Sequence, residues 1–326
     1  MKAIALISGG LDSILAARSM QGLGIEIIPL NFKIPFCQKV VQKIEGLSQE
    51  LKTVDIGWDF LEMLTQPEYG YGKNMNPCID CKILMLRKAK ELMPVLGAGF
   101  IVTGEVLGQR PMSQHKQALA LITKKSGLEG LVLRPLSAKL LPETIPEQEG
   151  WVGREKLMDF SGRGRKSQMA LAEKLGIKEY AQPAGGCLLT DSLFTEKLKD
   201  LIRHKELNLA NAELLKLGRH FRLSDSVKLI VGRDEAENDS LLKLAREGDL
   251  LFMPQETAGP TALGRGNFNQ GLITLASGIV SRYCDRNGSD AVEIVYRQAG
   301  AVPAGDCPCL LKAAPCEEST LEKLRL

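Results

Sequence analysis

An α/β domain on a parallel sheet, followed by a smaller α+β domain, is what three features of the sequence predict. A short apolar run, Lys2–Ser8, passes through glycines into a helical pattern, Leu11–Met20, and then into a second apolar run, Ile25–Asn31. This strand–helix–strand unit is the building block of a parallel sheet. More short apolar runs alternate with helical stretches as far as residue 175. After Asp225 the texture changes to alternating runs and short helices, which reads as a separate α+β unit. The boundary falls near residue 195, giving domains 1–194 and 195–326.

Each element follows from local chemistry. Leu11, Leu15 and Ala16 lie at helical spacing, and Gly22-Leu23-Gly24 ends that helix. Leu51–Asp55 reads as a strand. Cys81–Leu92 reads as a helix stopped by Pro94 and Gly97. Phe100–Thr103 is a buried strand leading into Gly104, and Leu131–Leu133 ends another before Arg134-Pro135-Leu136. Pro142–Glu149, with its two prolines, reads as an exposed loop. Gln168–Leu175 is a helix ended by Gly176, and Pro183–Gly186 breaks the chain before Cys187. Leu193–Leu215 is mostly helical. In the second domain, strands are expected at Val227–Val231, Leu250–Phe252 and Ala291–Tyr296, with helices at Asp239–Arg246 and Gly271–Tyr283.

Composition narrows the function classes. Of 326 residues, 44% are hydrophobic and 25% charged, which excludes wholesale disorder. No apolar stretch reaches the roughly 18 residues that span a bilayer. The opening residues run into Gly-Gly-Leu-Asp where a secretory signal would carry a cleavage site, so a cytoplasmic protein is expected. The net charge is +3, and its distribution is uneven. Residues 1–194 hold 24 Lys+Arg against 20 Asp+Glu, while the remainder holds 18 against 19. A polyanion should therefore meet a local basic patch in the first half. Eight cysteines in such a chain point to metal or thiol chemistry, not to a disulfide scaffold.

The sharpest motif is Ser8-Gly9-Gly10-Leu11-Asp12-Ser13, between a strand and a helix. Glycines let the backbone approach an anion, and a helix N-terminus presents free N–H groups and a positive dipole end. Asp12 acts through Mg²⁺ or orients the loop. The lysine of a Walker A loop is missing. These residues resemble the SGGxDS signature of the PP-loop ATP pyrophosphatases. The resemblance implies a doubly wound α/β domain that cleaves ATP between its α- and β-phosphates, adenylates a carbonyl oxygen and lets a nucleophile displace AMP. ATP is then expected across Ser8–Ser13 and the strand end at Leu30, with Mg²⁺ offsetting the phosphate charge.

A second motif, Thr103-Gly104-Glu105-Val106-Leu107-Gly108-Gln109 continuing to Ser113-Gln114, follows a strand. It is similar to the TGE–SLGQ–ASQ segment of the 4-thiouridine synthetases, which are tRNA thiolases, and Arg134-Pro135-Leu136 resembles their RPL segment. This resemblance implies ATP contacts from Gly104 and Glu105 and an RNA contact from Gln109. The N-terminal RNA-binding extension and the rhodanese domain of the long synthetases are not found in this sequence.

Cys78-Ile79-Asp80-Cys81 places two thiols at a helix start, where the dipole favours thiolates. Cys187, after Ala184-Gly185-Gly186, makes a third. Together they resemble the set in tRNA thiolases that holds a [4Fe–4S] cluster and leaves one iron for sulfide. Three other readings stay open: a persulfide pair of Cys187 with Cys78 or Cys81, structural zinc, and inert buried thiols. Cys307, Cys309 and Cys316 read as structural thiols. Cys37, Cys284 and the three histidines read as ordinary packing.

Arg154, Lys156, Arg163, Arg165 and Lys166 form a basic stretch that either contacts phosphates or is a solvated face. From Val231-Gly232-Arg233 through Asn238-Asp239, Asp249-Leu250, Phe252 and Gly259-Pro260, the second domain is similar to the NFACT-type RNA-binding domain. That implies tRNA contact, with Arg233 among the contacts. The combined expectation is an ATP-dependent tRNA uridine thiolase fed by sulfide or by a cysteine desulfurase system. The rivals are sulfur or nitrogen transfer to a small molecule and a non-catalytic RNA-binding protein.

Overall fold

The computed structural model describes residues 1–326 apart from 38–43, 45, 48, 181–186, 287 and 301–308. The glycine turn before Cys187 and the thiol of Cys307 lie outside the described residues. The chain divides into two units, Met1–Asp191 and Ser192–Leu326.

In the first unit, β1 (Lys2–Leu6), α1 (Leu11–Gly22), β2 (Glu26–Lys33) and β3 (Lys52–Asp55) are followed by α2 (Gly57–Thr65) and α3 (Cys78–Leu96). Then come β4 (Phe100–Thr103), α4 (Lys116–Lys125), β5 (Val132–Leu133), α5 (Ile145–Gln148) and α6 (Lys166–Lys174). The five strands pair in parallel in the order β3-β2-β1-β4-β5. Alternate residues serve opposite faces, as the pleat demands. Ala3, Ala5, Phe100 and Val102 pack with α1 and α6, while Ile4, Ile28 and Ile101 pack with α3 and α4. Ile4 lies opposite Ile28 on one side and Ile101 on the other, which fixes the register at the centre of the sheet. Helices cover both faces, so the doubly wound parallel sheet expected from the sequence is present.

Helix α3 is longer than the sequence suggests. It begins at Cys78 and runs through Pro94, which lies in its final turn and removes one backbone hydrogen bond there. The Pro142–Glu149 stretch contains a short helix, α5, whose start is closed by a capping box between Thr144 and Glu147.

The second unit contains α7 (Ser192–Arg203), α8 (Leu209–Leu214), β6 (Arg219–Ser224), β7 (Val227–Val231), α9 (Glu235–Leu244) and β8 (Leu250–Pro254). It continues with β9 (Ala262–Arg265), α10 (Gln270–Arg282), β10 (Val292–Gln298), β11 (Cys309–Ala313) and α11 (Glu318–Leu324). Its six strands form an antiparallel sheet in the order β11-β10-β8-β9-β7-β6. Ala276, Ile279 and Val280 of α10 fill one face, and Leu214 of α8 and Leu241 of α9 fill the other.

Candidate active site

The chain leaves β1 toward β2 and β3 on one side, and leaves β4 toward β5 on the other. Strand order therefore reverses between β1 and β4. In open α/β sheets the crevice at the carboxyl ends of such a pair is where ligands bind. A cavity of about 390 Å³ opens there. The loop after β1, the loop after β4, the start of α3 and the turn at Cys187 all line it.

The β1 loop is built to present backbone. Gly9 takes a left-handed conformation (φ 73°) that other residues rarely adopt. Gly10 caps α1 without a side-chain acceptor, so nothing from a side chain occupies the helix end. The serines shape the loop internally: Ser13 Oγ donates to Gly10 O at 2.8 Å and accepts from Ser8 N at 3.3 Å. Leu30 lies within β2, which runs on to Lys33 because residues 30–33 pair with β3, so it is not the strand end expected from the sequence. It is buried in the cavity wall, and its carbonyl accepts from Ile7 N at 2.8 Å.

Gly104 lies against the first turn of α1. A Cβ there would collide with the Asp12 backbone and come within 2.5 Å of Ser13 N. The second motif thus supports the first from behind. Gln109 lines the same cavity, where its Nε2 donates to Asp12 Oδ2 at 3.0 Å. Asp12 Oδ1 is buried and has no partner. Asn76 Oδ1, Ser113 Oγ and Gln114 Oε1 are likewise buried, unpartnered and on the cavity wall. Buried polar atoms are nearly always satisfied, so four open ones in a single cavity mark a ligand site.

Glu105 is fully engaged. One carboxylate oxygen takes the Lys82 ammonium, and the other takes Arg134 Nε at 2.8 Å and Thr103 Oγ1 at 3.1 Å. Burial alone would raise its pKa, but the charges of Lys82 and Arg134 outweigh this and hold it down to about 2. The Arg134-Pro135-Leu136 segment thereby anchors Glu105, and Glu105 holds Lys82 at the cavity. Lys82 and Arg110 are the cations on the lining.

Four thiols share this cavity: Cys37, Cys78, Cys81 and Cys187. Cys78 opens α3, and Cys81 follows one turn later. Asn76 Nδ2 donates to Cys78 Sγ at 3.1 Å. The Cys187 turn is tied to the segment before Cys78, with Met75 N bonding Leu189 O at 3.1 Å and Asn74 Nδ2 bonding Thr190 O at 2.7 Å. These bonds bring the remote cysteine to the helix start. Burial, then the neighbouring thiols Cys187 and Cys78, pushes the Cys81 thiol well above its usual range. Burial pushes Cys187 up to about 11, the Leu189 N–H offsetting part of the rise. Among the described residues, no three His, Cys, Asp or Glu side chains converge on one point as a single metal ion requires. A four-iron cluster takes its thiolates at separate irons and does not require convergence on one point; Cys78, Cys81 and Cys187 line the same cavity.

Arg163, Arg165 and Lys166 are not on the cavity lining, but their segment is joined to a loop that is. Gly162 N donates to Leu107 O at 2.7 Å, and Ser137 Oγ bonds both Leu107 N and Phe160 O. This ties the basic segment to the loop that carries Gln109. Arg163 and Lys166 are exposed, and among the described residues none of the three has an ion-pair partner. Arg154, grouped with them on sequence grounds, is instead bound by Glu147 at 2.5 Å. Arg233 belongs to the second unit, where its guanidinium pairs with Glu237. Cys309 and Cys316 also lie in that unit.

Sequence reasoning missed three residues of the cavity: Cys37, Lys82 and Arg110. A signal existed for two of them. Lys82 directly follows the Cys-x-x-Cys pair, and Arg110 directly follows Gln109.

Residues 1–140 match the family model described as thiamine biosynthesis protein (ThiI), and residues 218–319 match the NFACT protein RNA-binding domain. A probable tRNA sulfurtransferase of Thermococcus kodakarensis is 31% identical over 144 residues, covering 41% of this chain and 36% of that protein. A tRNA-specific 2-thiouridylase MnmA of Campylobacter jejuni is 30% identical over 116 residues, covering 32% of this chain and 34% of that protein. The chain thus spans about a third of the length of the curated relatives it matches. A solved 4-thiouridine synthetase–RNA complex with bound ATP aligns at 20% identity and a TM-score of 0.35, covering 54% of this chain and 51% of that one. No helix among the described residues is long and apolar enough to cross a membrane.

Proposed function

We propose that this chain, similar in its first 140 residues to tRNA sulfurtransferases, uses ATP to exchange a carbonyl oxygen of a tRNA uridine for sulfur, releasing AMP and pyrophosphate. One observation carries the reading: an anion-binding helix start and four thiols line a single cavity at the switch point of a parallel sheet. Activation and sulfur delivery then share one enclosed space.

In this reading Gly9, Gly10 and the N-terminus of α1 hold the ATP phosphates, with Ser8, Leu11 and Ser13 fixing the loop. Lys82 and Arg110 balance the phosphate charge. Asp12 Oδ1, buried and unpartnered, suits a magnesium ion, and Gln109 orients that carboxylate. Leu30 and Gly104 wall the site. Glu105 acts through Lys82, since its own oxygens are taken. The uridine oxygen attacks the α-phosphorus, and pyrophosphate leaves toward the helix start.

The residues suited to a [4Fe–4S] cluster are Cys78, Cys81 and Cys187. A cluster held there would supply a sulfide nucleophile. The raised thiol pKa values of Cys81 and Cys187 mean that loading it releases protons and is favoured as pH rises. Sulfide itself or a cysteine desulfurase system is the sulfur source. Arg163, Arg165, Lys166 and the second unit, including Arg233, contribute to holding tRNA. In this reading the protein works in the cytoplasm, where tRNA is met and thiols stay reduced.

The test is product analysis. Anaerobically prepared protein with ATP, tRNA and sulfide should give AMP and pyrophosphate, with thiouridine detected by mass spectrometry of digested nucleosides. ADP as the main product, or AMP release unaffected by tRNA, would sink the reading.

A further inference from the structure

Cys37, which the sequence reading treats as ordinary packing, lines the cavity with the other three thiols. It follows β2, whereas Cys187 opens a short helical turn at Leu188–Thr190. The two stand directly opposite each other in an isolated antiparallel bridge. The neighbouring backbone bond, Leu188 N to Phe36 O at 3.2 Å, flanks the pair without joining it. Cys37 and Cys187 therefore occupy a non-hydrogen-bonded site, where opposed Cα atoms lie about 4.5 Å apart and side chains are closest. A disulfide requires a Cα separation of about 4.4–6.8 Å.

The surroundings hold this geometry firmly. Phe36 and Leu189, next to the bridge on its two sides, are fully buried. Both thiols are free and only partly buried, so a small oxidant can reach them. We propose that Cys37 and Cys187 form a reversible disulfide across the cavity, which withdraws Cys187 from sulfur chemistry and leaves the phosphate loop intact. With hydrogen peroxide as oxidant, the two thiols give up two protons and two electrons. The Sγ–Sγ bond forms, the O–O bond breaks and two waters leave. A dithiol reductant reverses the step and becomes a disulfide itself.

The effect on thiolation rests on the function proposed above; the bond does not. The full chain, freed of metal with a chelator, is treated with hydrogen peroxide, alkylated without reduction and mapped by peptide mass spectrometry. The first cross-link should join Cys37 to Cys187 and vanish in dithiothreitol. Because the bond closes a long loop, the oxidised chain should melt at least about 5 °C higher than the reduced one. Cys37→Ser should show neither the cross-link nor the shift. Cys187 linked instead to Cys78 or Cys81, with Cys37 alkylated, overturns the proposal, and so does full alkylation of both partners. Oxidised protein should still bind an ATP analogue and should regain thiolation in dithiothreitol. If reduced protein never thiolates tRNA but the cross-link forms, the functional reading fails and the disulfide stands.

Discussion

The cavity of the first unit and the ion-pair cluster of the second differ in how they treat buried polar groups. Around the cavity of the first unit, Asp12, Asn76, Ser113 and Gln114 each leave a buried atom without a partner. In the second unit, buried charges are set against each other. Asp200 takes Arg222 at 2.5 Å and Lys228 at 3.2 Å, and Asp249 takes Arg265 at 2.5 Å. A cavity of about 120 Å³ beside Lys228 and Arg265 mixes the two kinds: Arg265 is paired, whereas His220 Nδ1 and Lys228 Nζ are buried without a hydrogen-bond partner, Lys228 facing Asp200 through charge alone. An open donor or acceptor in a cavity is available to a ligand, whereas a closed ion-pair network fixes the packing of the elements it joins.

Substitutions can break or sharpen this contrast. The largest effect is expected from Arg222→Ala. It leaves buried Asp200 with only Lys228 and His204 beside it and strands Glu206, and should cost about 3–5 kcal/mol in denaturant unfolding of the second unit. ATP turnover by the folded protein should stay unchanged; a milder loss would show the network to be dispensable.

Acid should act on the first unit through Glu105. Its folded pKa is depressed, so the stabilisation is complete above the unfolded value near 4.5 and is lost as pH falls toward about 2. The contribution amounts to about 3 kcal/mol at most. Glu105→Gln should flatten the acid limb of a stability–pH curve in that window, and an unchanged limb would remove Glu105 from the account.

Asp12→Ala should lower AMP release about 100-fold or more, equivalent to about 2.7 kcal/mol of barrier, with little change in melting temperature. A large fall in melting temperature would make Asp12 a packing residue like those of the second unit. The smallest effect is expected from replacing Arg163, Arg165 and Lys166 together by Ala. Affinity for tRNA should drop about tenfold, and the slope of log affinity against log salt should decrease by about 2 to 3. An unaltered slope would mean that the segment does not meet phosphates.

Legibility from sequence followed the same division. The phosphate loop was readable because its chemistry lies in contiguous residues, Ser8–Ser13, at a strand–helix junction. The Cys-x-x-Cys pair was readable for the same reason. Cys37 was not, because its partner lies across a long-range bridge that no local spacing encodes. Glu105 was visible as a polar residue after a strand. Only the fold reveals that Lys82 and Arg134 saturate it, and that Gln109 turns toward Asp12. Strands β6, β9 and β11 and helices α2, α4 and α11 escaped notice because elements this short carry too few residues to show a period. Pro94 lies inside α3 because packing of Ile83, Leu86 and Ala89 on the sheet sustains the helix beyond its local preference.

The contact between Gly104 and the start of α1 bears on how such a site can be inherited or transplanted. The hairline fit of that glycine against Asp12 and Ser13 means that the two loops were shaped as one part. A designer who grafts Ser8–Ser13 onto another parallel sheet, without a side-chain-free residue at the end of the adjacent strand, will displace the helix and lose the anion cradle. The transferable module is therefore a pair of neighbouring strand ends, and the six-residue loop by itself is not portable.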